Sequence, residues 1–403
     1  MRYKNMSKSF LWTNTNFIVE GQDVWLVPSF YNCLCKYNLK LKYMEKVKEI
    51  PQMSTAIQPF YNMVSIQDDI IMIPAREDKI VIYNRKKDFF YTKKLKNCIS
   101  GSEKFQAYAV WCDWIYMFPI YYPYIVKFNI KTYAIEYITD DTITELVAIN
   151  KPLFMLQNAQ VKNTVYLTIY NSNKIYRFDM DLDQGECIEV GDKKKEYVSV
   201  CALDKWNLAL LDKKGDIVIL NSKKDGLSVI ESYLNCDDTI MNCFIKVENS
   251  LYIFPESVKG EIKKFDIDLC LMEKAEFSDL LCKKDYEIEW WEYNAFSYPV
   301  YSGSNIYVMS IQEECLYEII LEKSEVKSYV LSVDKWEDAF LSNLFKLFGR
   351  NVCLFYEGKY EYLKIDTMIK NVKNYQDNVE MESQNVGYSI YKDMKLNQVI
   401  DDR

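Results

Sequence analysis

IMIPAREDKIVIYN, residues 71–84, and YMFPIYYPYIVKFN, residues 116–129, share one layout. Each is an apolar run ending in proline, a short variable segment, a second alternating run, and an aromatic residue followed by asparagine. WLVPSFYNCLCKYN from Trp25 and YIFPESVKGEIKKFD from Tyr252 repeat it. Proline and aromatic residue stand 9 apart in Pro28–Tyr37, Pro74–Tyr83 and Pro119–Phe128, and 10 apart in Pro255–Phe265. Four weaker copies keep the spacing of 9 with another residue in the proline position: Ile169, Leu211, Ser310 and Tyr356. The closing position then falls at Asn38, Asn84, Asn129, Asp179, Asn221, Asp266, Ile320 and Asp366, at intervals of 42 to 54 residues with a mean near 47.

Around this two-run unit lie two further strand signals per copy. Upstream come runs such as Phe17–Glu20, Met63–Ile66 and Phe244–Val247, and downstream Tyr43–Val47 and Phe89–Leu95. Polar turns separate them, for example Gly21-Gln22-Asp23, Gln67-Asp68-Asp69 and Glu248-Asn249-Ser250, where Asn and Asp bond nearby backbone and tolerate left-handed φ. Proline at a strand end removes no needed ladder N–H. Four short strands per copy predict an all-β chain, a β-propeller of four-stranded blades. The repeat count predicts eight blades, with seven as the alternative if the first and last copies combine to close the ring. The expected organisation is an N-terminal segment over residues 1–15 that could supply a closing strand, a propeller over 16–373, and a polar tail over 374–403.

The aromatic-Asn/Asp pair closing each unit resembles the kelch-like and YVTN-like propeller superfamilies. The resemblance spans residues 16–373 and implies the fold alone. It departs from named subfamilies: the double glycine of kelch repeats, the Trp-Asp/Gly-His pair of WD40 repeats and the sialidase-type Asp box are all missing. The chain is most similar to Lys/Asn/Tyr-rich propeller proteins of low-GC Gram-positive bacteria, from which no activity carries over.

Composition narrows the chemistry. The 403 residues contain no histidine, which removes Ser-His-Asp and Cys-His machinery and His-ligated zinc. Lys and Arg number 50 against 58 Asp and Glu, a net charge of −8 without a basic block, so nucleic acid is not an expected partner. No apolar stretch is long enough to span a bilayer and the start has no signal-peptide core. Twelve scattered cysteines without a CxxC pair read as thiols of a reducing compartment, hence a cytoplasmic protein, expected as a monomer. No phosphate-binding glycine loop, nucleophile elbow or EF-hand loop occurs, so no cofactor, metal or catalytic residue is assigned.

Binding residues are expected on loops, where function concentrates on a repeat scaffold. The segment 285–296, within the longest interval, carries Trp290, Trp291 and Tyr293 among Glu289 and Glu292, and Trp336 sits in a second acidic loop. Aromatic faces beside carboxylates suit sugar rings or cationic groups, although the two tryptophans could equally fold back to plug the axis. Loops between second and third strands add Phe30, Tyr121, Tyr122 and Tyr124 as an aromatic rim, with Arg76 the single arginine among the four most divergent loops. The expectation is a non-enzymatic binding propeller presenting an aromatic and acidic face to a protein or glycan. The alternative is a carbohydrate-active enzyme using paired carboxylates such as Glu289/Glu292 or Glu77/Asp78.

Overall fold

The computed structural model describes residues 17–28, 33–53, 59–98, 102–148, 154–224, 226–233, 240–257, 259–282, 296–310, 315–331, 351–356 and 359–364. Seven four-stranded antiparallel sheets follow one another along the chain, spanning residues 17–49, 60–94, 105–138, 154–189, 197–233, 241–274 and 300–330. Within each, strand order is strand sequence order. The first strand of every sheet neighbours the first strands of the sheets before and after it, and the first strand of sheet seven neighbours that of sheet one. The sheets are therefore the blades of a closed β-propeller, with first strands innermost. A short helix, Asp141–Ala148, capped by Asp140 Oδ1 accepting from Ile143 N at 3.1 Å, links blades three and four.

Burial explains why the middle runs read as continuously apolar. The second strands Asp69–Pro74, Trp114–Pro119, Thr164–Ile169, Asn207–Asp212, Ser250–Pro255 and Asn305–Ser310 are each buried at all five positions after the first. Both faces of a blade are covered by its neighbours, so period-two alternation is lost there. It returns in outer strands such as Phe89–Lys94 and Gln184–Glu189, where solvent meets one face. Seven separate apolar clusters result, one at each blade boundary.

The Asn or Asp that closes a unit fixes the turn that follows it in five of the seven blades. Its side-chain oxygen accepts the backbone N–H three residues on, in Asn38 to Leu41 (2.9 Å), Asn84 to Lys87 (2.8 Å), Asn129 to Thr132 (2.9 Å), Asp179 to Leu182 (3.1 Å) and Asp266 to Leu269 (2.9 Å). The amides of Asn38, Asn84 and Asn221 reach across to the second strand, donating to Asp23 (2.8 Å), Asp69 (2.6 Å) and Asn207 (2.9 Å). The residue after that turn is left-handed: Lys42, Asp88, Tyr133, Asp183 and Cys270 have φ between 49° and 58°. In the first-to-second strand turns the left-handed residue is the first, Gly21, Gln67, Cys112, Lys162, Glu248 or Gly303, and the next, Gln22, Asp68, Asp113, Asn163, Asn249 or Ser304, is not.

The ring has seven blades, the smaller of the two counts. Among the described residues the eighth copy is a two-stranded sheet, Asn351–Tyr356 with Lys359–Lys364, and the ring closes without it through the first strands of blades seven and one. The two described strands correspond to the central pair of the repeat unit, and the upstream run 345–348 lies outside the described residues. Nor do first and last copies merge, because blade one is complete within residues 17–49. The segments 1–15 and 374–403 lie outside the described residues. Among the described residues no helix is long and apolar enough to cross a membrane.

Candidate functional site

At one end of the ring lie the second-to-third strand loops and the inter-blade connections. Between blades two and three these bring together residues far apart in sequence. Lys104 is wholly buried, its Nζ 2.9 Å from Asp78 Oδ1 and donating to the carbonyl oxygens of Arg76 (3.2 Å) and Ser102 (3.0 Å). Three acceptors satisfy the three protons of an ammonium group. The backbone extends the join, with Lys104 N donating to Ala75 O and Ile120 N to Lys104 O, both at 2.7 Å. The loops of both blades are thus fixed from beneath.

Above this anchor stands a cluster of three side chains. Arg76 Nη2 donates to Glu103 Oε1 at 2.7 Å, and the Tyr61 hydroxyl donates to the same oxygen at 2.9 Å. Arg76 and Glu103 keep 30% and 24% of their side-chain surface in solvent, so the pair faces outward without being loose. Arg76 Nε has no hydrogen-bond partner among the described residues. Burial and the Glu103 carboxylate push the Tyr61 hydroxyl well above its ordinary value, so it stays protonated and donates at any physiological pH. Tyr121 belongs to the same patch: burial first, then Glu103 and Tyr170, raise its hydroxyl. Tyr121 also packs on Tyr61, Ala75 and Ile120, and Tyr170 from blade four is 43% exposed.

Of the sequence-predicted site residues, Arg76 and Tyr121 meet in this cluster. Tyr122 points the other way: it is buried, edge-on to Phe105 at 5.2 Å, and its hydroxyl donates to Lys96 O. Tyr124 lies further out, where it and Tyr137 flank Lys96, whose Nζ is 4.3 and 4.0 Å from the two ring centres. The four-residue stretch therefore divides between rim and wedge. Phe30, Glu289, Trp290, Trp291, Glu292, Tyr293 and Trp336 lie outside the described residues. The sequence reading missed Tyr61, Glu103, Lys104 and Tyr170. A signal existed for three of them: each stands beside the aromatic that opens a blade, Tyr61 after Phe60 and Glu103-Lys104 before Phe105.

The axis itself is lined by amides and hydroxyls that bridge blade to blade. Asn62 donates to Gln106 O at 2.5 Å, Asn158 to Tyr108 O at 2.9 Å and Gln160 to Val110 O at 2.8 Å. Gln157 of blade four reaches past blade five to Phe244 O of blade six, while accepting from Ser199. The first strands of the seven blades contribute a single carboxylate, Glu20, and it is held by Arg85 and Ser65. Glu77 is buried with Lys79 Nζ 3.9 Å away, and Asp78 is the partner of Lys104. Among the described residues no group of His, Cys, Asp and Glu is placed to hold a metal ion.

Known structures agree on the fold. A catalytically inactive virginiamycin B lyase from Staphylococcus aureus superposes with a TM-score of 0.56 at 12% identity, over 74% of this chain and 93% of the lyase. A computationally designed protein, Ika8, gives 0.51 at 10% identity over 79% and 83% of the two chains. The extracellular domain of a putative one-component system from B. thetaiotaomicron gives 0.51 at 10% identity, and this chain spans only 37% of that one. Identities this low carry the propeller fold and nothing about activity. No protein-family profile matches the chain, and no curated protein sequence matches it.

Proposed function

We propose that the chain is a binding propeller without chemistry of its own, which grips a protein or glycan ligand on the end of the ring carrying Arg76, Glu103, Tyr61, Tyr121 and Tyr170. The observation that carries this reading is the Arg76–Glu103–Tyr61 cluster, in which the charged pair is partly exposed and the phenol buried, braced by the buried Lys104 and its partner Asp78. A fixed guanidinium beside phenol rings offers planar hydrogen bonding and flat apolar contact at small entropic cost. The thiols of Cys98, Cys112, Cys187 and Cys201, none of them in a disulfide, fit a cytoplasmic setting. The carbohydrate-active enzyme reading has less to draw on, because Glu77 and Asp78 are each engaged by a lysine. The kelch-like and YVTN-like resemblance adds the fold and no ligand.

The experiment is capture of ligands by immobilised protein, from an extract and on a glycan array, with wild type, Arg76→Ala and Tyr121→Ala. Both variants should fold with unchanged circular dichroism and lose about tenfold or more in affinity for whatever wild type retains. Undiminished capture by both variants would overturn the assignment of this face.

A further inference from the structure

The sevenfold repeat provides its own comparison at every blade boundary. The third residue of each second strand faces the next blade, and the positions are Trp25, Ile71, Tyr116, Tyr166, Ala209, Tyr252 and Tyr307. Each joins the apolar cluster shared with the following blade. Five are aromatic rings and one is isoleucine, whose boundary receives Tyr133 stacked on Phe128 at 5.9 Å. Ala209, between blades five and six, is the exception. A cleft of about 280 Å³ opens at that boundary, at the end of the ring opposite Arg76, lined among others by Ile219, Tyr233, Phe265, Ile267 and Lys246. Ile219 is the residue paired with Ala209 across the strands.

The boundary between blades one and two shows what such a space holds. There the Trp25 ring packs against Tyr83 at 6.4 Å, with Lys36 Nζ 5.5 Å and the Arg85 guanidinium 6.0 Å from its centre. The blade-six counterpart of Tyr83 is Phe265, also a wall of the cleft, with Tyr233 at 4.9 Å from it. Lys246 lines the same space and has no hydrogen bond or ion pair among the described residues. The two carboxylates at the mouth are occupied by turn bonds: Asp204 accepts from Trp206 N and Asn207 N at 2.6 and 2.9 Å, and Asp268 accepts from Asn249. The cleft thus keeps the aromatic wall of the Trp25 site, has Ile219 and Ile267 where that site has Lys36 and Arg85, takes its cation from Lys246 on a first strand instead, and lacks the ring.

We infer that the cleft between blades five and six is a docking site for one aromatic side chain, tryptophan or tyrosine, carried by a partner polypeptide. The guest ring takes the place that Trp25 fills in cis, against Phe265 and Tyr233 with Lys246 as the cation over its face. A polypeptide source follows from size. The space admits one ring, and one ring buried alone corresponds to no better than millimolar binding, so a useful complex needs further contacts from the chain bearing it.

The test is ligand-observed saturation-transfer NMR on the full chain with N-acetyl-tryptophanamide, N-acetyl-leucinamide and a Gly/Ser hexapeptide containing one tryptophan. Wild type should bind the tryptophanamide saturably in the millimolar range, the leucinamide about tenfold more weakly, and the peptide at least as tightly as the tryptophanamide. Ala209→Trp fills the space from within and should abolish the signal while raising or preserving thermal stability. Ile219→Trp fills it from the paired strand and serves if the first variant fails to fold. Lys246→Met should weaken the aromatic probe about threefold and leave the leucinamide unchanged. Equal binding of tryptophanamide and leucinamide, or binding unaffected by either tryptophan, would overturn the site. A peptide about tenfold weaker than the free amide would overturn the polypeptide partner.

Discussion

Lys104 and Glu318 are buried charges at two different blade boundaries, and they are satisfied in different ways. Lys104, under the loops of blades two and three, meets a full opposite charge on Asp78 and two backbone carbonyls. Glu318, at the seam where blade seven closes on blade one, is met mainly by neutral donors: Asn305 Nδ2 at 2.7 Å, the Tyr307 hydroxyl at 3.0 Å and the Tyr329 hydroxyl at 2.6 Å. Its one cation, Lys327, stands 3.7 Å away and 55% exposed. Tyr329 then meets Tyr37 of blade one edge-on at 6.0 Å. The first arrangement fixes the register of surface loops, whereas the second stiffens an interface that, among the described residues, no strand crosses and side-chain packing holds.

The sharpest way to break this comparison is to remove one member of each set. Asp78→Ala leaves the Lys104 ammonium buried without its counter-charge and should cost about 3–5 kcal/mol in urea unfolding. Lys104→Met should cost less, because Asp78, with 21% of its side chain exposed, can rehydrate. If the two variants prove equal, the asymmetry argued for the anchor is wrong. Glu318→Gln keeps the volume but leaves phenol donors short of an acceptor, and about 1–3 kcal/mol should be lost.

Acid offers a finer probe. Burial pushes the Glu318 carboxyl up, but hydrogen bonds from Tyr329, Tyr307 and Asn305 and the charge of Lys327 outweigh it and hold it below the ordinary 4.5. The folded protein then binds this proton less readily than the unfolded chain. The contribution is full above the unfolded value near 4.5 and is lost as pH falls through the lower folded value. Thermal melts between about pH 6 and pH 3 should therefore fall more steeply for wild type than for Glu318→Gln. Parallel curves would mean that the phenols do not stabilise the anion.

How far the sequence carried the reading follows from which interactions are local. The Asn/Asp turns of blades one to four and six lie within three residues of their partners, so a spacing of nine residues, ten in blade six, exposed them and with them the strands. The last copy misled the blade count because the nine-residue spacing specifies only the pairing of two central strands, as in Asn351–Tyr356 with Lys359–Lys364, and a place in the ring depends on pairings and contacts that the unit does not contain. Arg76 stood out as an isolated arginine, and Tyr121 as one of several tyrosines. Their convergence with Tyr61 and Glu103 joins positions up to 60 residues apart in the chain and leaves no periodic trace. Tyr122 could not be told from Tyr121, because which of two adjacent rings turns inward is settled by Phe105 and Lys96 O.

The smallest expected effect separates charge from hydrogen bonding at the seam. Lys327→Ala removes the only cation near Glu318 among the described residues, yet its ammonium is more than half exposed and its attraction is screened by water and salt. The loss should be below about 0.5 kcal/mol and should vanish in roughly 1 M salt. Tyr329→Phe deletes one neutral donor from the same carboxylate and should cost about 1–2 kcal/mol irrespective of salt. Urea titrations of both variants at low and high ionic strength give the ordering directly. Should Lys327→Ala be the costlier change, Glu318 would belong with Lys104 as half of an ion pair, and the two boundaries would differ only in the sign of the charge they bury.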